Sequence, residues 1–362
     1  MRHTSVGGTR YWGHTVRDRA QELDGDGALI AAPRIDGYRL DRVIGRGAMS
    51  TVYGAVQLPH NRPVAIKVLA ERFRDDPVFV RRFSREAASM ATLEHPNVLP
   101  MLDSGEADGV PFIVMRLVDG PTLRELIGVV RPGTGDAVGL LDGVAAALDF
   151  AHTRGVLHRD VKPHNVLVEH GRHVWLTDFG LMRLIDDETS ETVDGSVLGT
   201  FDYLAPEIAR GERATAASDV YGFAVTAFQT LTGSLPFPVA HRAAAVLAHA
   251  SERRPAASEI APCLPADIDE VLRRGMAIDP HERPTSAGAL MRDVHAAVGS
   301  APPSKRGRLA LTSDARAADD CASLSVDSAA GTVVPTGQRR HPSRLLRPRS
   351  ALLSSALVAP LD

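Results

Sequence analysis

Two short strings hold the residues best suited to chemistry. HRDVKPHN, from His158 to Asn165, sets a carboxylate, an ammonium and an amide at fixed offsets, and DFG follows at Asp178 to Gly180. Asp160 can accept the proton of a hydroxyl nucleophile, and Lys162 can extend beside it towards a transferring phosphate. The Asn165 amide oxygen and the Asp178 carboxylate are hard ligands of the kind Mg²⁺ takes in company with substrate phosphates. Such a set could transfer a phosphoryl group to a hydroxyl. The plainer alternative is an ordinary loop with capping Asp and Asn residues. His158 and Phe179 are expected to pack rather than react. His164 and His173 have no ligand spacing, so no metal is assigned to them.

Upstream, IGRGAMS places Ile44, Gly45, Arg46, Gly47, Ala48, Met49 and Ser50 where a strand turns. Glycines there let backbone N–H donors face an anion at close range. A dinucleotide-binding fingerprint would open a helix next, whereas here a second strand, STVYGAV, closes a hairpin. That context favours a cover over nucleotide phosphates above a purely structural turn. Lys67, in VAIK, sits in an otherwise apolar strand. A buried unpaired charge is costly, so Lys67 needs an anionic partner, and Glu86 on the next helix is the candidate, with a solvent-exposed Glu86 as the alternative.

The elements that must hold these residues follow from pattern. YRLDRVI, STVYGAV and PVAIKVL read as three strands, with PHNRP turning between the last two. Asp76-Pro77 supplies an N-cap and an N1 proline, and Phe79, Phe83, Ala87 and Met90 form a helical stripe. HPNVLPMLD and PFIVMRLV read as two more strands, and VDGPTL as a hinge. Beyond it, Val138, Leu141, Val144, Leu148 and Ala151 mark a long helix, and further helices begin near Asp219, His241 and Asp267, ending with TSAGALMRDVHAAVG. The expected class is α+β and bilobed, with a five-stranded antiparallel sheet plus one helix first and a mainly helical part second. Residues 1–35 read as a flexible leader, 36–298 as the folded domain (lobes 36–117 and 118–298), and 299–362 as a Pro-, Ser- and Arg-rich tail expected to be disordered.

In this order and context the strings resemble the eukaryotic-type serine/threonine protein kinases of bacteria, from about Tyr38 to Val298. The resemblance implies the bilobed kinase fold, with ATP and Mg²⁺, or Mn²⁺ in its place. It implies Asp160, Lys162 and Lys67 as catalytic residues, Asn165 and Asp178 as metal ligands, and Glu86 as partner of Lys67. Around the nucleotide it implies the loop Ile44 to Ser50, with Val52, Ala65 and Leu167 sandwiching adenine and Met115 as gatekeeper. Arg116, Leu117 and Val118 would offer hinge backbone groups. Glu207 of APE would pair with Arg283, and Asp219 would hold the catalytic loop from below. Lys162 and Thr200 match the serine/threonine branch. The segment between Asp178 and Glu207 carries Thr189, Ser190, Thr192 and Ser196 as candidate phosphorylation sites, Thr192 preferred, with Arg159 placed to pair with an added phosphate. Ser50 replaces a frequent glycine without implied loss of ATP binding. Arg116 replaces a commonly acidic hinge residue, expected to alter electrostatics near the ribose.

Bulk composition sets further bounds. Hydrophobic residues are 44% and charged residues 23% of 362, and the net charge is −3. These values fit a soluble globular protein and give no whole-molecule footprint for nucleic acid. Cys263 and Cys321 are the two cysteines, too few for a disulfide framework and expected to be bystanders in a reducing compartment. No apolar signal region opens the chain, so a cytoplasmic location is expected. Five arginines between Arg339 and Arg349 precede ALLSSALVAPL, a run about half the roughly 20 residues needed to span a bilayer. A disordered tail is preferred to a weak peripheral membrane contact or the stump of a longer receptor. Protein Ser/Thr acceptors and a homodimer for trans-autophosphorylation are the expected partners. Two rivals, a nucleotide-binding pseudokinase scaffold and a small-molecule kinase, fit less well. The first has no need of the full catalytic set, and the second none of the Thr200 to Glu207 segment.

Overall fold

A computed structural model describes residues 33–47, 49–179, 201–238, 242–251 and 253–299. β-branched runs and the turn around Asn61, which adopts a left-handed φ of 46°, build the first three strands. These are β1 (Tyr38–Arg46), β2 (Ser50–Gln57) and β3 (Arg62–Leu69). Helix α1 (Pro77–Ala91) starts as its sequence implies: the Asp76 side chain accepts from Val78 N–H, and Pro77 takes the first turn. Phe83, Glu86, Ala87 and Met90 form its buried face. Strands β4 (Met101–Ala107) and β5 (Val110–Arg116) complete an antiparallel sheet of order β1-β2-β3-β5-β4. The fourth strand therefore begins later than HPNVLPMLD implied. The stretch before it is occupied otherwise: Leu99 N–H donates to Leu176 O and Leu176 N–H to Asn97 O, both in the second lobe's direction. Ile35, placed in the leader from sequence, is buried in the core.

The second lobe is mainly helical. It contains α2 (Leu123–Val129), α3 (Thr134–Thr153), α4 (Pro206–Ala209), α5 (Ala216–Thr232), α6 (Arg242–Ser251), α7 (Ala257–Ile260), α8 (Asp267–Gly275) and α9 (Ala287–Gly299). The apolar stripe of α3 is fully buried, and α3 packs against α5 and α9. A small hairpin, β6 (Val166–Glu169) and β7 (His173–Leu176), lies between the catalytic string and DFG. Sequence reading did not separate it or α2 from their surroundings.

The hinge approaches this hairpin closely. Val168 N–H donates to Pro121 O at 2.8 Å, and a Cβ on Gly120 would stand 2.0 Å from Val168 O. Glycine is required there because no side chain fits between the two backbones. Among the described residues, no helix is long and apolar enough to cross a membrane. Cys263 lies among the described residues and Cys321 outside them.

Candidate active site

Strand β3 carries Lys67 into the interior, 2% exposed, and α1 brings Glu86 to it from one side. The Lys67 ammonium donates to Glu86 Oε1 at 2.7 Å and to Asp178 Oδ1 at 2.8 Å. Residues 19 and 111 positions away thus meet on one cation. Burial pushes Lys67 down, but the two carboxylates outweigh it and raise its pKa. Burial likewise raises Asp178, yet Lys67, with His158 and Lys162, holds it below the usual carboxylate range. Glu86 goes the other way. Desolvation dominates there, with Asp178 adding to it against Lys67, and pushes the carboxyl up to about 7.

The catalytic string is held from beneath by α5. Asp219 accepts from His158 N–H at 2.8 Å and from Arg159 N–H at 2.7 Å, and His152 on α3 meets the same carboxylate at 2.8 Å. Arg159 takes a left-handed φ of 68°, and Asp178 one of 64°. Strain of this kind persists where the surroundings dictate the backbone. His158 is fully buried and joins the two strings. Its Nδ1 accepts from Asp160 N–H at 3.2 Å, so Nε2 carries the proton donated to Thr177 O at 2.9 Å. Both ring nitrogens are satisfied in the neutral form, in keeping with a pKa lowered by burial despite nearby Asp219 and Asp160. Phe179, fully buried, sets its ring 4.6 Å from that of His158 at a tilt of 52°.

Asp160 meets Lys162 Nζ at 2.6 Å through Oδ2. The same oxygen accepts from Asn165 Nδ2 at 3.0 Å, and that amide nitrogen also donates to Asp160 O at 2.8 Å. With its nitrogen committed to Asp160, Asn165 has its amide oxygen available as a ligand. That oxygen and the ionised Asp178 form a hard, oxygen-only donor pair, which fits a divalent cation such as Mg²⁺ that completes its shell with phosphate and water. No cluster of three or more His, Cys, Asp or Glu suited to a metal occurs among the described residues.

Above these groups, Val52 pairs with Lys67, Gly54 with Ala65, and Ala65 with Met115 across the sheet. Leu167 lies on β6 and bridges to Thr122 just past the hinge. The Arg116 N–H donates to Pro100 O at 3.1 Å. Its side chain meets Glu169 and Trp175. In the loop, Gly47 N–H closes a turn on Ser50 O at 2.8 Å. A Cβ on Gly45 or Gly47 would meet its neighbours only at 3.5 Å or more. Neither glycine has a positive φ. Packing among the described residues therefore does not demand glycine here.

Farther down, Glu207 and Arg283 form a buried pair with Nη1 and Nη2 each 2.7 Å from a carboxylate oxygen, and Ser218 donates to the same carboxylate at 2.8 Å. Ala48, Gly180, Thr189, Ser190, Thr192, Ser196 and Thr200 lie outside the described residues. Sequence reading missed His152, Ser218, Glu169 and Trp175. Each acts through a partner distant in the chain, and no local spacing announces it.

Residues 38–294 match the family model described as the protein kinase domain. The chain is 37% identical over 273 residues to the serine/threonine-protein kinase PrkC of Bacillus subtilis, covering 74% of this chain and 42% of that protein. It is 38% identical over 263 residues to PknD of Mycobacterium tuberculosis, covering 72% and 40%. The chain thus spans about two fifths of the length of these curated relatives. Among solved structures, the kinase domain of Mycobacterium tuberculosis PknI aligns with a TM-score of 0.60 at 31% identity, covering 75% of this chain and 100% of that one.

Proposed function

We propose that this chain, which belongs to the protein kinase family, transfers the γ-phosphoryl group of ATP to serine and threonine hydroxyls of proteins in bacterial signal transduction. The observation that carries this reading is the meeting of Lys67 with both Glu86 and Asp178, at 2.7 and 2.8 Å, in the same molecule in which Asp160 is locked to Lys162 and Asn165. Groups from both lobes are already at hydrogen-bonding distance, and phosphoryl transfer depends mainly on such positioning and on charge neutralisation.

In this reading Lys67 binds the α- and β-phosphates and Glu86 orients it. Val52, Ala65 and Leu167 enclose the adenine, while Leu117 and Val118 supply the hinge N–H donors. Asp160 accepts the proton of the substrate hydroxyl. Lys162, held 2.6 Å from Asp160, neutralises charge on the moving phosphoryl group. Asp178 and Asn165 would hold Mg²⁺, which supplies charge neutralisation at the β- and γ-phosphates when bound. His158 fixes the Asp160 backbone to the strand leading into Asp178.

Phosphate transfer from radiolabelled ATP to a generic basic protein tests the assignment. Wild type should label it and Asp160→Asn should not; equal labelling by both sinks the reading. The acceptor branch rests on Lys162 and the matching Thr200 rather than on any described contact. Autophosphorylation at Thr192 is part of the proposal and is checked by phosphosite mapping of active enzyme. A cytoplasmic location, with at most weak lipid contact through the basic tail, is checked by vesicle flotation of the full chain against one ending at Val298. Trans-phosphorylation in a homodimer predicts a labelling rate that rises more than linearly with enzyme concentration.

A further inference from the structure

Arg116, the last residue of β5, reaches across the back of the hinge. Its Nη2 lies 2.8 and 3.0 Å from the two carboxylate oxygens of Glu169. Its guanidinium lies 4.7 Å from the centre of the Trp175 ring. Trp175 closes the triangle by donating its indole N–H to Glu169 Oε2 at 3.1 Å. Burial acts to raise the Glu169 pKa, and the indole N–H and Arg116 more than reverse it. A lone surface ion pair contributes little, but here the same guanidinium is charge-paired and stacked on an aromatic face, with the carboxylate only 13% exposed.

What this triangle joins gives it a consequence. Glu169 ends β6, two residues after Leu167, and Trp175 is Leu167's partner across the hairpin. Three residues beyond Trp175 comes Asp178. On the other side, Arg116 directly follows Met115, which pairs with Ala65. Any opening of the hinge that lifts β5 away from the β6–β7 hairpin must pull the guanidinium off both Glu169 and Trp175.

We propose that Arg116 is a positioning residue that, through Glu169 and Trp175, sets the spacing between the hinge and Leu167 and thereby tunes nucleotide affinity. The inference rests on the nucleotide reading above. It assigns the Arg116 side chain to the slot's geometry rather than to contact with the nucleotide itself.

The test is a double-mutant cycle on the full chain, reading the KM for ATP, kcat and the Kd of a non-hydrolysable ATP analogue. Arg116→Ala should raise KM and Kd about 3- to 10-fold, equivalent to roughly 0.7–1.4 kcal/mol, with kcat changing by a smaller factor and the KM for the protein acceptor unmoved. Glu169→Gln should raise them similarly. Adding Arg116→Ala to Glu169→Gln should then add little, and Arg116→Lys should recover part of the loss. A merely structural role would move the melting point without this KM-against-kcat split. A Kd for Arg116→Ala within 1.5-fold of wild type overturns the proposal. Fully additive effects overturn it too, because Arg116 would then not act through Glu169. If wild type itself fails to bind the analogue, the nucleotide reading falls, and this inference with it.

Discussion

Lys67 and Arg283 are both buried cations, and the company each keeps differs. Arg283 faces one carboxylate, Glu207, through two 2.7 Å bonds. Its remaining donors go to Ala217 O, Ala277 O and Ile278 O, and its plane lies 4.8 Å from the Tyr221 ring centre. Burial would raise Glu207, but Arg283 and Ser218 hold it below its ordinary value. Lys67 faces two carboxylates, and Glu86 Oε2 is buried with no hydrogen-bond partner. One set is closed and charge-balanced. The other sets two carboxyl groups against one cation and leaves an unmet acceptor, a cost a protein bears where function needs it. The lesson is that burial of an ion pair does not by itself mark a site; imbalance within the pair is the better sign.

Substituting the two cations should separate these roles most sharply. Lys67→Met should lower kcat/KM by about 10²–10³-fold or more, as loss of a main electrostatic group does, while circular dichroism shows a retained fold. Arg283→Met leaves Glu207 buried and unpaired. It should cost about 3–5 kcal/mol of stability, read as a melting point lower by roughly 10 °C. If Lys67→Met unfolds the chain and Arg283→Met does not, the contrast is reversed.

The pH dependence of stability should differ in sign. The folded Glu86 value of about 7 lies above the ordinary 4.5, so the folded chain keeps a proton that the unfolded chain releases. Its contribution is therefore lost as pH rises from 4.5 through 7. Glu207 is held below 4.5. Its contribution is present above 4.5 and lost as pH falls through the lower folded value. Urea unfolding between pH 3 and 8 should show Glu86→Gln gaining on wild type as pH rises across the first window. Glu207→Gln should instead lose its deficit as pH falls below 4.5. Slopes of one sign for both would remove the distinction.

The smallest effect sharpens the closed set. Ser218→Ala deletes the hydrogen bond its hydroxyl donates to Glu207 and the weaker one it accepts from Thr215 N–H at 3.1 Å, without removing the Arg283 pair. It should cost about 1 kcal/mol in chemical denaturation and leave kcat unchanged. A loss near that of Arg283→Met would mean the hydroxyl, not the guanidinium, carries the cluster.

How much was legible follows from range. Asp76-Pro77 and the stripe at Phe83, Ala87 and Met90 are local signals, and α1 starts where they say. The three opening strands are equally legible because β-branched runs and the Asn61 turn act over a few residues. The fourth strand was misplaced since Val98 and Leu99 have strand-like side chains but pair with Leu176, a neighbour no window could supply. The β6–β7 hairpin was hidden for a related reason: four-residue strands carry too short an alternation to read.

By itself the sequence determined the chemical inventory: the order of Lys67, Glu86, Asp160, Asn165 and Asp178, and the elements bearing them, because residue type and short-range periodicity are properties of the chain. Only the tertiary structure decided how those charges are shared. That Lys67 serves two carboxylates at once, that Glu86 is driven up to about 7, and that Arg116 engages Glu169 and Trp175 all depend on burial and on distances between residues up to 111 positions apart. Desolvation and Coulomb interaction act through space, and no spacing along the chain encodes them.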